Sequence, residues 1–122
     1  MALSEAAINS MLDDLATNAV YVAAHTGQPS LNPVSPTEVT GGSPAYVRKS
    51  ATWNAAASKN LNSSNAPVLD IPASTTVTYI GFWNHVSTQS AATFMGEILL
   101  LPAAAFTLQG TLTLTDIDWA GV

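Results

Sequence analysis

An antiparallel β-sandwich or barrel carrying one N-terminal α-helix is the fold class that this chain of 122 residues predicts. Three observations carry the expectation. From residue 19 onward the chain is a series of short runs rich in β-branched and aromatic residues, punctuated by Gly, Pro, Asn and Ser. The alternation of strands with helical segments that marks a parallel sheet is missing. Only the first eighteen residues carry a helical period. A chain of this length hides roughly 65–70% of its unfolded surface, so a single domain over residues 1–122 with a proper core is expected.

In the leading segment Ser4 is placed to cap a helix, and Glu5 falls in the first turn, where the helix dipole favours an acid. Ile8, Met11, Leu12 and Leu15 follow at i, i+3, i+4 and i+7 and form one apolar face. Asp13 and Asp14 sit toward the end that disfavours them, so a helix within residues 1–18 must draw its stability from packing. That face lies on the domain's own core or, as an arm, on a neighbouring subunit.

The β domain occupies residues 19–122. "VYVAAH" (20–25) has strand character. A long loop over 26–45 follows, holding Gly27, Pro29, Pro33, Pro36, Gly41, Gly42 and Pro44; loops this long in small domains are usually functional or packed. "YVRKSATW" (46–53) alternates as a strand, with Tyr46, Arg48, Ser50 and Thr52 on one face and Val47, Lys49, Ala51 and Trp53 on the other. "SKNLNSSN" (58–65) reads as a polar turn region, and "APVLDI" (66–71), "TTVTYIGFW" (75–83) and "ATFMGEILLL" (92–101) read as strands. In "GTLTLTDIDW" (110–119), Leu112 and Leu114 share one face while Ile117 and Trp119 have the opposite parity. A bulge or strand break near Thr115 or Asp116 would turn all four inward.

Charge is scarce. Only 9% of residues are Asp, Glu, Lys or Arg, against about 25% in an average soluble domain. The polar surface must be built from Thr, Ser and Asn, which are cheaper than ions to desolvate against a partner. The composition therefore favours life in an assembly. With a net charge of −5 and three cations, the chain has no basic stripe to neutralise phosphates, which argues against a nucleic-acid partner. "MALSEAAINS" lacks the positive n-region and apolar run of a signal peptide. "ILLLPAAAF" (98–106) is far shorter than the ~20 residues of a membrane helix, so no membrane partner is expected. The chain has no cysteine, which excludes disulfides and thiolate metal sites.

Candidate catalytic chemistry is thin. "GGSPA" (41–45) approaches the G-x-S-x-G elbow of hydrolases. That elbow uses the N–H after the serine as an oxyanion donor, and here the next residue is Pro44, which has none. Asp116 and Asp118 form a carboxylate pair, but no calcium loop surrounds them. His25 and His85 are the only histidines, too few for a metal site on their own. No catalytic residue, metal or cofactor is assigned. Arg48 and Lys49 are adjacent and so point to opposite faces of a strand. One is expected to lie over a core edge or meet an acid of a neighbouring chain, the other to block stray strand pairing. "ILLL" (98–101) directs Leu99 and Leu101 to one face and Ile98 and Leu100 to the other. A sandwich strand has one buried face, so the second is expected under the helix, a loop or another subunit. The candidate assembly contacts are Ile8, Met11, Leu12, Leu15, Arg48, Lys49, Ile98 and Leu100. The candidate glycan contacts, for a rival reading as a carbohydrate-binding module used on a host surface, are Trp83, Asn84 and His85.

The segments "MALSEAAINSMLDDLA", "AAHTGQPS", "EVTGGSPAYVRKSATWNAA" and "VLDIPASTTVTYIGFWN" resemble a family of small virion proteins of tailed bacteriophages, especially those of actinobacteria. The resemblance runs over most of residues 1–83 and fades beyond, and "EVTGGSPAYVRK" is its most specific part. It implies a non-enzymatic structural protein of the virion, of the tail-fibre or minor tail type, assembled in the bacterial cytoplasm. Capsid decoration is the alternative it carries. The implied partners are further copies of the chain and other virion proteins, the tail or the major capsid protein, and a trimer is attractive by analogy. No catalytic residue comes with the resemblance.

Overall fold

The computed structural model describes residues 2–34 and 37–120. Residue 1 of the expected helical segment, residues 35 and 36 of the long loop (Pro36 among them) and the last two residues lie outside that description.

Helix α1 spans Glu5–Asn18, and the Ser4 side chain accepts a hydrogen bond from the Ala7 N–H at 3.1 Å. The strands are β1 (Tyr21–His25), β2 (Lys49–Ser50), β3 (Asn60–Asn62), β4 (Val68–Ile71), β5 (Thr75–Trp83), β6 (Phe94–Phe106), β7 (Gly110–Thr113) and β8 (Asp118–Ala120). A short 3₁₀ turn covers Pro29–Leu31. The main sheet has the order β2-β1-β5-β6 with every neighbour antiparallel, and two further antiparallel pairs, β3–β8 and β4–β7, form separate small sheets. The fold is mainly β with one leading helix, as expected, and its layers pack as a sandwich.

Phe82, Ile80, Val22 and Ala24 of the main sheet meet Leu69 and Ile71 of β4 and Leu114 and Ile117 of the final segment. The expected break near Thr115 lies between β7 and β8 at residues 114–117. It lets Leu114 and Ile117 both enter the core, and moves the chain from β4 to a new partner, β3. The helix packs on the chain's own core: Ile8 and Leu12 are buried with Leu61 of β3. Asp13, poorly placed for the dipole, instead accepts the Ala56 N–H at 2.7 Å, and Asn9 accepts the Lys59 N–H at 2.9 Å.

Three expected elements differ. Segment 46–53 contributes only the two paired residues of β2, because its inward parity changes: Arg48 is buried before the pairing, Ala51 after it. Residues 58–65 are not merely a turn. Ser58 and Lys59 have positive φ (51° and 62°) and make a tight two-residue reversal closed by the Ala57 and Asn60 backbones, which launches β3. Two successive left-handed residues are what such a reversal demands. Strand β6 does not stop at residue 101 but runs to Phe106. Its register against β5 jumps from Tyr79↔Leu99 to Val77↔Ala104. Pro102 falls inside that bulge, where its missing N–H breaks no ladder bond.

Candidate functional site: the outer face and free edge of the sheet

Strand alternation sends Ala23 and His25 of β1 and Gly81 and Trp83 of β5 to the side of the sheet opposite Phe82 and Ile80. On that outer face lies a buried cation. Arg48 forms a two-pronged ion pair with Glu38, Nε to Oε2 at 2.9 Å and Nη2 to Oε1 at 2.8 Å. The two side chains are 1% and 6% exposed, so this is an interior pair rather than a surface one. Arg48 Nη1 also donates to the backbone carbonyls of His85 and Thr88, and the guanidinium lies 4.3 Å from the Trp83 ring centroid. One side chain thus ties the loop before β2 to the loop after β5.

Glu38 is held in turn by the Tyr46 hydroxyl at 2.7 Å and the Gln89 amide at 3.1 Å. Burial pushes the Glu38 carboxyl up, but Arg48, Gln89 and Tyr46 more than offset it and its pKa is lowered. Burial and the Glu38 charge raise the pKa of Tyr46, which keeps its proton to donate. The same hydroxyl accepts the Ala24 N–H at 3.0 Å, filling a gap in the ladder on the β1 edge. Beside it the long loop returns as a strand-like cover, with Thr26 N–H on Thr37 and Val39 N–H on Ala24. The loop is packed, not free.

His25 is fully buried and stacks on Trp83, whose indole N–H donates to His25 Nε2 at 3.3 Å. Among the described residues its Nδ1 has no hydrogen-bond partner. Burial lowers its pKa from 6.5 to about 4, with the Glu38 charge opposing and Arg48 reinforcing the shift. The two rings are so close over Gly81 that a Cβ there would lie 2.5 Å from His25 Nε2 and 2.8 Å from Trp83 Nε1. A groove of about 330 Å³ passes above the ion pair, flanked by the half-exposed Val47 and Val86. Its charged groups are already committed to each other, so it offers no free ion to a ligand.

Beyond this cluster the sheet ends in β6, which among the described residues pairs with β5 alone and forms the sheet's border. Leu99 is 48% and Leu101 80% exposed. A second groove, about 240 Å³ and largely apolar, runs beside the strand between Ile98 and Leu100 on one wall and Leu114 and Ile117 on the other. The single charge of the strand, Glu97, accepts from Gln28 Nε2 at 2.6 Å and from the Ser30 N–H at 2.8 Å.

Of the residues expected to make assembly contacts, Ile8 and Leu12 are buried inside, Leu15 packs against both cores, and Met11 stands 61% exposed. Arg48 meets an acid, but of its own chain, while Lys49 lies half-buried in β2. Ile98 and Leu100 turn toward the core, because Ile98 is in register with Ile80, and Leu99 and Leu101 take the outward positions. Trp83 is fully buried and has no face to give a sugar; Asn84 and His85 are exposed beside it without an aromatic platform. His85 Nδ1 instead accepts the N–H groups of Ser87 and Thr88, shaping the hairpin loop. Ser43 lies in a turn after two left-handed glycines, and Asp116 and Asp118 are both exposed. Among the described residues no group of three His, Asp or Glu is gathered to hold a metal, and no helix is long and apolar enough to cross a membrane.

The sequence reading missed Glu38. A signal was available: Glu38 is the only acid between Asp14 and Asp70, the stretch that holds all three cations, Arg48, Lys49 and Lys59.

Residues 2–107 match the protein-family model described as Podophage GP4 fiber I protein gp80. The match passes well beyond residue 83, where the resemblance read from the sequence fades, and takes in β6 and the whole outer-face cluster. No curated protein matches the chain.

Proposed function

The chain belongs to this family of phage fibre proteins, and from that premise we propose that it is a non-catalytic building block of a tailed-phage tail fibre. It acts through contacts with further copies of itself and with neighbouring virion proteins. An actinobacterial host is the finer reading that the sequence resemblance adds. The observation that carries the proposal is the strip of exposed leucine on β6, at Leu99 and Leu101, along the sheet's border. Burying a leucine is worth roughly 1.5–3 kcal/mol, and a surface built from Thr, Ser and Asn costs little to desolvate around it.

The internal use of Arg48 and Glu38 supports the same reading. The pair holds two loops together, and neither of its own charges is left free to meet a substrate. Quantitative mass spectrometry of purified virions tests the role. A few to a few tens of copies per particle is the expected result. Hundreds of copies would move the protein to the capsid surface as a decoration, and absence from the particle would remove the virion role altogether.

A further inference from the structure

Both histidines of the chain act as hydrogen-bond acceptors around one loop, residues 84–93 between β5 and β6. An imidazole nitrogen accepts only while it carries no proton, and in the imidazolium both nitrogens donate. We propose that residues 85–89 form an acid-released latch: neutral His25 and His85 keep them seated on Arg48, and protonating the two rings frees them while the inner core stays folded. The inference goes beyond the fibre reading and does not depend on it.

The latch is held by polar ties. Arg48 Nη1 donates to the carbonyls of His85 at 2.8 Å and Thr88 at 3.2 Å, and Gln89 donates to Glu38 at 3.1 Å. His85 Nδ1 accepts the N–H groups of Ser87 at 3.1 Å and Thr88 at 2.9 Å. Val86 is the only large apolar side chain of the segment and is half-exposed, so little apolar burial opposes opening. The latch residues face water, while Arg48, to which they are tied, is buried.

At His85 the effect of acid is direct. The new proton goes to Nδ1, so that a donor confronts the two N–H groups it had accepted. Arg48, bonded to the carbonyl of the same residue, is a cation beside it. At His25 the effect passes through Trp83. His25 Nε2 accepts the indole N–H, so the neutral ring carries its proton on Nδ1, and acid adds the second one against the indole.

The titratable and charged groups around His25 are Glu38, bridged to it by backbone, Tyr79 opposite it on β5, Tyr46 and Arg48 from the segment leading into β2, and Glu97 of β6. Glu38 is the acid next in line to neutralise a charged His25. Its Oε1 is already taken by Arg48 and Gln89, and its Oε2 by Arg48 and Tyr46. A charged His25 must therefore compete with Arg48 for one carboxylate, both cations lying against the Trp83 ring. Any shift of Arg48 lets go of the carbonyls of His85 and Thr88. Burial holds the His25 pKa near 4 in the closed form, against 6.5 for a solvated ring. The closed form is thus fully favoured above about pH 6.5, and loses about tenfold per pH unit toward 4 relative to an opened form in which His25 meets water.

Amide and indole hydrogen exchange of the full chain, followed by ¹H–¹⁵N NMR from about pH 7 to 4.5 and corrected for intrinsic rates, tests this. Protection of the Trp83 indole and of the Ser87 and Thr88 amides should fall by about a hundredfold between pH 6.5 and 4.5. Dilute urea should speed exchange at Leu69 and Ile71, which open by unfolding, and leave the latch indifferent. His25→Gln keeps an acceptor for Trp83 that does not titrate, and His85→Asn keeps one for Ser87 and Thr88. The exposed His85→Asn change alone should reduce the loss at those two amides severalfold, and the two changes together should abolish the pH dependence of the latch. Protection at Ser87 and Thr88 that ignores pH, a pH dependence that survives His85→Asn undiminished or persists in the double variant, or latch exchange with the urea dependence of Leu69 would overturn the proposal.

Discussion

On its inner side the main sheet presents Val22, Ala24, Ile80 and Phe82 to an apolar layer of Leu69, Ile71, Leu114 and Ile117. On its outer side the same strands present Ala23, His25, Gly81 and Trp83 to a buried arginine and the acid that neutralises it. The inner face is stabilised in proportion to apolar area and has no directional requirement. The outer face depends on geometry: Arg48 must reach Glu38, two carbonyls and an indole at once. The first arrangement supplies stability. The second fixes where two long loops lie, and so gives the surface of the molecule its shape. A buried pair is a poor source of net stability, but breaking it by removing one partner is costly. The two faces should therefore fail differently when damaged.

The largest expected effect comes from halving the ion pair. Arg48→Met leaves Glu38 buried with only Tyr46 and Gln89, and should cost about 3–5 kcal/mol in urea unfolding. Adding Glu38→Gln to the same chain should recover most of that loss, because no charge is then stranded. If the double variant is no better than the single one, the outer face is held by packing and the contrast fails.

Acid should produce the next largest effect, again on the outer face. The folded chain holds His25 near 4 while the unfolded chain titrates at an ordinary 6.5, so the unfolded state takes up the proton first. Stability is fully present above about pH 6.5 and falls as pH drops toward 4, by on the order of 3 kcal/mol at about 1.4 kcal/mol per unit. Glu38, with its lowered pKa, adds a loss in the same direction as pH falls through its folded value. Thermal unfolding between pH 7 and 4 measures the slope, and His25→Gln should flatten the part above pH 4. An unchanged slope in that variant would show that His25 is not the group responsible.

The smallest effect is reserved for the inner face. Ile80→Val removes one methylene from an all-apolar environment and should cost about 0.5–1.5 kcal/mol, with no pH dependence. A cost matching that of Arg48→Met would erase the difference between the faces.

Much of the inner face was legible in the sequence. Strand β5 stands out because Thr75–Trp83 is an unbroken β-branched and aromatic run. The break before β8 shows in the parity of Leu112, Leu114, Ile117 and Trp119, since a core accepts only one face of a strand. Strand β3 did not show, because Asn60-Leu61-Asn62 holds one apolar residue, and its partner β8 lies at the far end of the chain. The passage of β6 through Pro102 was hidden for a related reason: a bulge exists only relative to the strand it pairs with. The outer face was least legible. The opposite orientations of Arg48 and Lys49 follow from strand alternation, but the partner of Arg48 sits in a loop with no period to locate it. Leu99 and Leu101 were recognised as sharing a face, while which pair points outward depends on the register with β5.

The distribution of the three cations has a consequence for proteases that cut after basic residues. Arg48 is locked inside and Lys49 is held in a strand, which leaves Lys59, in its left-handed turn, as the readiest point of attack. A single nick there would separate α1, β1 and β2 from every later strand. The β1–β5 ladder and the seat of α1 on β3 would still bind the fragments to each other. A particle exposed to such enzymes could thus carry a severed backbone and keep its shape.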